Sequence, residues 1–150
     1  DIAPKSTSVS LTVPKPTAWG YDATLVRVLD GDTCVLGLSR TFVQEIDFGF
    51  YVKDRISFTK TAEMTFRLMG INTPEIHGDN KVKGLLSKVE LDRLLRSGTL
   101  RVVTYKPDKY GRWLVDIYVT PPGGLESHVN KLLIDTGFAL PWNGSGEKPV

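Results

Sequence analysis

Between residues 23 and 120 the chain breaks into short runs of alternating apolar and polar residues, each closed by a turn residue. Period-two alternation specifies strands with one buried face, and it limits this stretch to a mainly β architecture. The runs are ATLVRVLD ending at Gly31, then TCVLGL, TFVQEI and the aromatic DFGFYV. MTFRLMG follows a polar patch, and LRVVTY and WLVDIYV are separated by the polar loop KPDKYGR. One helical stretch interrupts them. Residues 84–97 are expected to form a helix with Gly98 as its C-terminal cap. Ser87, Leu91, Leu94 and Leu95 fall on one face of it, and Val82, Leu85, Leu86 and Val89 on a second arc with no assigned partner. A second helix is expected over residues 127–136, where Val129, Leu132 and Leu133 have helical spacing and Gly137 is the stop.

About five strands, with a helix between the third and fourth, suggest a small closed antiparallel barrel of the oligonucleotide-binding (OB) type. The fold class is therefore α+β, mainly β with two or three helices. A chain of 150 residues fits one domain of this size. Residues 1–18 hold Pro4, Pro14 and Pro16 among Ser, Thr and Lys, and read as an arm or linker. The domain is expected to occupy 19–150. At 41% hydrophobic and 24% charged, the composition is that of a folded globular chain. No run approaches the roughly 18 apolar residues of a membrane helix, so no membrane partner is expected. Cys34 is the single cysteine, which excludes an intrachain disulfide; it reads as a small core residue. From Lys81 to Arg112 there are nine basic and three acidic residues on a chain of net charge +2. That excess fits either a polyanion partner or a solvated helix face with loop lysines.

Three stretches carry candidate chemistry. In DGDT, Asp30 and Asp32 flank Gly31, which suits either an ordinary turn or oxygen ligation of a hard cation. In FRLMGINTPE, Arg67 lies inside an apolar strand and Glu75 follows a turn stiffened by Pro74. A buried guanidinium must meet an anion, either a protein carboxylate such as Glu75 or a ligand phosphate. Glu75 beyond the turn could equally accept a proton from water. In KPDKYGRWL, Lys106, Lys109 and Arg112 surround Tyr110, a pattern that suits a nucleic-acid backbone or a solvated hairpin loop. His77 and His128 lack zinc-ligand spacing. Trp142 is expected in the core.

In order along the chain, LVRVLDGDT, FRLMGINTPE, DKYGRWL and VNKLLIDTGFAL resemble the staphylococcal nuclease (thermonuclease) family. The resemblance covers about residues 23 to 142. It implies an OB-type barrel carrying helices and a Ca²⁺-dependent nuclease that hydrolyses phosphodiester bonds of DNA or RNA, single strands favoured, acting as a monomer. Carried over by position, Asp32, Asn72 and the Thr73 carbonyl would bind the metal, with Asp30 and Thr33 supporting them. Arg67 and Arg112 would clamp the phosphate, Glu75 would be the general base, and Lys109 and Tyr110 would contact a neighbouring phosphate.

The chain departs from the family pattern at Asn72, where the prototype has Asp. One negative charge is lost there, so weaker Ca²⁺ binding or use of another divalent metal is expected. The segment between Leu38 and Met64 is also longer, and it could cover the site or bind a partner. The alternative reading is a catalytically weak or inactive barrel that binds nucleic acid or a protein. Degenerate copies of that kind typically lose the arginines and the glutamate, which are present here as Arg67, Arg112 and Glu75.

Overall fold

A computed structural model describes residues 18–107, 110–144 and 148. Strand β1 (Trp19–Asp30) turns at Gly31 and Asp32 into β2 (Thr33–Asp47), which pairs along its whole length with β3 (Lys53–Leu68). A two-residue strand β4 (Ile71–Asn72), a 3-10 turn (Gly78–Asn80) and helix α1 (Lys81–Leu95) follow. The chain then returns through β5 (Thr99–Thr104) and β6 (Trp113–Thr120). It ends with β7 (Ser127–His128), helix α2 (Val129–Asp135) and β8 (Leu140–Pro141). The sheet order is β3-β2-β1-β5-β6, and β6 pairs back onto β3 in parallel from Phe66↔Trp113 to Leu68↔Val115. That last pairing closes a five-stranded barrel, the mainly β, OB-type architecture expected from the alternation, with two α-helices on it.

The core follows from the period of two. Cys34, Leu36, Phe66, Leu68, Val102, Val115 and Ile117 all face inward and are buried. Cys34 is fully enclosed, and burial pushes its thiol up to about 12. On α1 the expected face is the buried one: Ser87, Leu91, Leu94 and Leu95, together with Gly84. The second arc, Val82, Leu85, Leu86 and Val89, is exposed. Helix α2 is pinned by Asn130. Its side-chain amide donates to the carbonyls of Met69 and Val115 and accepts from the Ile117 N–H.

Several local expectations differ from the structure. TCVLGL and TFVQEI are one strand, because the polar Ser39 and Arg40 leave the barrel while their backbone bonds continue to β3. DFGFYV is not a strand but the tip of that long hairpin, where Phe48 N–H bonds Val52 O and Gly49 and Tyr51 take positive φ. Helix α1 starts earlier, at Lys81, and Gly98 is not a left-handed cap. Instead a Cβ there would lie 2.1 Å from the Thr120 carbonyl, so Gly98 permits a close approach to the end of β6. Ser127 and His128 form a strand pairing with β6 rather than the first turn of α2, whereas Gly137 (φ 84°) stops that helix as expected. The basic segment is partly neutralised, since Arg93, Arg96 and Arg101 pair with Glu90, Asp92 and Glu126. No helix among the described residues is long and apolar enough to cross a membrane. The arm expected at residues 1–18 lies almost wholly outside the described residues.

Candidate functional site

The β1–β2 turn presents Asp32 to the end of β3. The Asp32 carbonyl accepts from Leu68 N–H at 2.8 Å, which fixes the turn against the strand that carries Arg67. The Asp32 carboxylate is buried, and each of its oxygens has a protein partner. Oδ1 accepts from the Thr33 hydroxyl at 3.0 Å, Oδ2 accepts from Thr73 N–H at 3.2 Å, and Arg67 Nη2 stands 3.6 Å from Oδ2.

Arg67 lies opposite Thr33 in the β2–β3 register and is only 4% exposed. Its guanidinium donates to the Ile71 carbonyl at 2.9 Å and to the Leu68 carbonyl at 3.4 Å. The guanidinium carbon lies 4.9 Å from the centre of the Trp142 ring. Arg67 therefore meets Asp32, and not Glu75 as one reading of the sequence allowed. Trp142 is not a core plug. It is half-buried, its backbone N–H donates to Gly70 O, and its indole face covers the cation, an arrangement that a ring quadrupole favours. No spacing in the sequence signalled that contact.

Asn72 and Thr73 follow directly. Short β4 pairs with β8 through Asn72↔Leu140, and the Asn72 and Thr73 side chains are buried. The Thr73 hydroxyl is enclosed with no hydrogen-bond partner among the described residues. Gly31 permits this packing, because a Cβ there would sit 2.7 Å from both Thr73 Oγ1 and Ser87 Cβ.

Glu75 is exposed past Pro74, on a groove of about 410 Å³ also lined by Asn72, Lys83 and Lys148. Its carboxylate pairs with Lys148 at 3.9 Å, a residue the sequence reading did not single out. The backbone of Glu75 is held by α1. A Cβ at Gly84 would lie 2.2 Å from the Glu75 carbonyl, so the helix rests directly on this loop. Asp30 links the two parts of the site. Its carboxyl is raised above the usual value, first by burial and then by the charges of Asp32 and Glu75, while the Gly31 N–H and Lys88 oppose the rise.

Arg112 and Tyr110 lie at the entrance to β6. Arg112 is half-buried with its guanidinium 5.3 Å from the Tyr110 ring centre. It immediately precedes Trp113, the partner of Phe66, so the parallel β3–β6 pairing sets Arg112 two residues before Leu114, the partner of Arg67. Lys109 lies outside the described residues. His77 is an exposed loop residue before the 3-10 turn. His128 stacks on Tyr118 and bonds Asp116, away from these groups.

Asp32, the Asn72 amide and the Thr73 carbonyl are all hard oxygen donors, the type that suits Ca²⁺ or Mg²⁺. Among the described residues no group of three His, Cys, Asp or Glu side chains gathers to hold a metal. By type, one carboxylate and neutral oxygens suit a hard cation and not a thiolate or imidazole metal.

No curated protein matches the chain. The model of the family described as staphylococcal nuclease homologue matches residues 65–147, more than half of the 150. The match spans Arg67, Asn72, Thr73, Glu75, Lys109, Tyr110 and Arg112, while Asp30, Asp32 and Thr33 precede it. With this match running from the end of the barrel's third strand to residue 147, the chain belongs to the staphylococcal nuclease homologue family.

Proposed function

We propose that the protein is a metal-dependent nuclease that hydrolyses phosphodiester bonds of DNA, RNA or both. The observation that carries this reading is the buried Arg67, fixed by Ile71 O, Asp32 and the Trp142 face at the foot of the Glu75 loop. A guanidinium held by so many partners meets a ligand without reorganising, which is the property that stabilises charge developing in a transition state.

In this mechanism Glu75 accepts a proton from the attacking water, and its exposure leaves room for that water. As the water oxygen bonds to phosphorus, negative charge grows on the non-bridging oxygens. Arg67 and Arg112 donate to those oxygens, and the ester oxygen leaves with a proton from solvent. Tyr110 and Lys109 hold the adjoining phosphate. Asp32, Asn72 and the Thr73 carbonyl would hold the Ca²⁺ or other divalent ion, with Asp30 and Thr33 behind them. When bound, that ion supplies a further positive charge for the phosphate. In the free protein Glu75 stands 3.9 Å from Lys148, and both side chains are exposed.

The second reading is a barrel that binds nucleic acid without cutting it. Asn72 favours it, since a single carboxylate leaves the cation weakly held. Incubation with denatured DNA and with RNA under Ca²⁺, Mg²⁺, Mn²⁺ or chelator separates the two. Cleavage requiring metal and falling at least about 10²-fold in Glu75→Gln and Arg67→Ala is the expected result. Binding without metal-dependent cleavage selects the second reading.

A further inference from the structure

The β2–β3 register keeps even-numbered residues on one face along the whole hairpin. Within the barrel that face is the core, as at Cys34↔Phe66 and Leu36↔Met64. Beyond Leu38↔Ala62 the same face leaves the barrel, and it carries Arg40↔Lys60 and then Phe42↔Phe58. The two phenyl rings stack at 5.2 Å, and the Arg40 guanidinium lies 4.9 Å from the Phe42 ring centre. This projecting face and the barrel end border a cavity of about 480 Å³, which Trp19 and Trp113 also line. Trp19 and Trp113 are 38% and 41% exposed, so each residue is open to a ligand.

We infer that this cavity and the base of the hairpin form a second nucleic-acid subsite, which takes a single-stranded segment extending from the phosphate at Arg112. The inference deepens the nuclease reading and rests on its nucleic-acid half.

Charge chooses the occupant. Arg40 and Lys60 stand directly opposite each other, a like-charge pairing that is unfavourable until an anion lies between them. No carboxylate lines the cavity among the described residues. Cations interleaved with exposed rings form the surface on which a single strand threads its phosphates and stacks its bases. The volume lies within the usual range for small-ligand pockets and so can admit a base. Continuity with the proposed site is equally specific. Trp113 follows Arg112, and Phe66 precedes Arg67. Neighbouring residues of a strand face opposite sides. A strand held at Arg112 therefore has only to cross the leading edge of β6 to reach the Trp113 ring.

The test is equilibrium binding of an oligothymidylate of about 12 nucleotides, a length within known single-strand site sizes, in chelator so that no turnover intervenes. The readouts are tryptophan quenching and Kd. The expected result is an affinity about tenfold weaker in Trp113→Ala. In the double variant Arg40→Glu/Lys60→Glu the affinity also falls, and the log–log salt slope shrinks by about 1.4. These side chains are exposed or at the cavity rim, and thermal melts of both variants verify folding. Unchanged affinity and salt slope in both folded variants overturn the inference. So does sedimentation showing a nucleic-acid-free dimer that the charge reversal dissociates, because a second copy would then own the surface. If the protein binds there yet never cleaves, the nuclease reading fails and this one stands. If it cleaves with both variants binding normally, the reverse holds.

Discussion

The carboxylate of Asp32 stands 3.6 Å from the guanidinium of Arg67, and both groups are buried. This pair joins the first turn of the barrel to the third strand. Removing one partner takes a close counter-charge from a buried group. Asp32→Ala is expected to cost about 3–5 kcal/mol in urea unfolding, well beyond the effect of an ordinary surface change. A loss below about 1 kcal/mol would mean that water already compensates Arg67.

Glu75 is the contrasting case. It is exposed and its visible partner is Lys148, so Glu75→Gln should change stability by no more than about 0.5 kcal/mol while reducing cleavage at least about 10²-fold. A variant that retains its full cleavage rate rules out Glu75 as the base.

Asn72 sits buried beside the Asp32–Thr73 contact. Asn72→Asp adds a second carboxylate to the oxygen donors and should tighten Ca²⁺, as read by calorimetry. The same change should lower stability in chelator, where a second buried carboxylate has no metal to neutralise it. An unaltered metal titration would remove Asn72 from the ligand set.

Gly84 tests the support under Glu75. Inside a helix Gly→Ala ordinarily stabilises by about 1 kcal/mol. Here the added Cβ would fall 2.2 Å from the Glu75 carbonyl, so Gly84→Ala should instead destabilise and lower activity with Glu75 intact. A stabilised, fully active variant would show that the helix and loop separate freely.

Tyr105 provides a pH signature. Its hydroxyl donates to Asp116 at 2.5 Å, and that bond together with burial pushes its pKa up to about 12. The folded state holds this proton more tightly than the unfolded state, whose tyrosine titrates near 10. The resulting stability is complete below about pH 10 and is lost as pH rises towards 12. Tyr105→Phe should remove that part of the alkaline decline, which denaturant melts across this range would detect.

Much of this protein was legible in the order of its residues. Alternation located the barrel strands, Gly137 ended a helix where expected, and Ser87, Leu91, Leu94 and Leu95 announced the buried face of α1. Arg67 inside an apolar strand required an anion, because a lone buried cation is too costly. The sequence could not name that anion: Glu75 was a candidate, and Asp32 is the partner. The choice depends on β2–β3 register and on the Leu68–Asp32 backbone bond, which are long-range pairings.

Local pattern determined which residues face inward, since side-chain direction repeats with the backbone period. Only the tertiary structure decided who meets whom. It set Trp142 over Arg67, Lys148 against Glu75, and Gly98 against the end of β6. It also carried the core face of β2 and β3 beyond the barrel, where Phe42 and Phe58 remain exposed. Such contacts arise from closure of the barrel and the seating of α1, and those events join residues far apart in the chain that no local spacing relates.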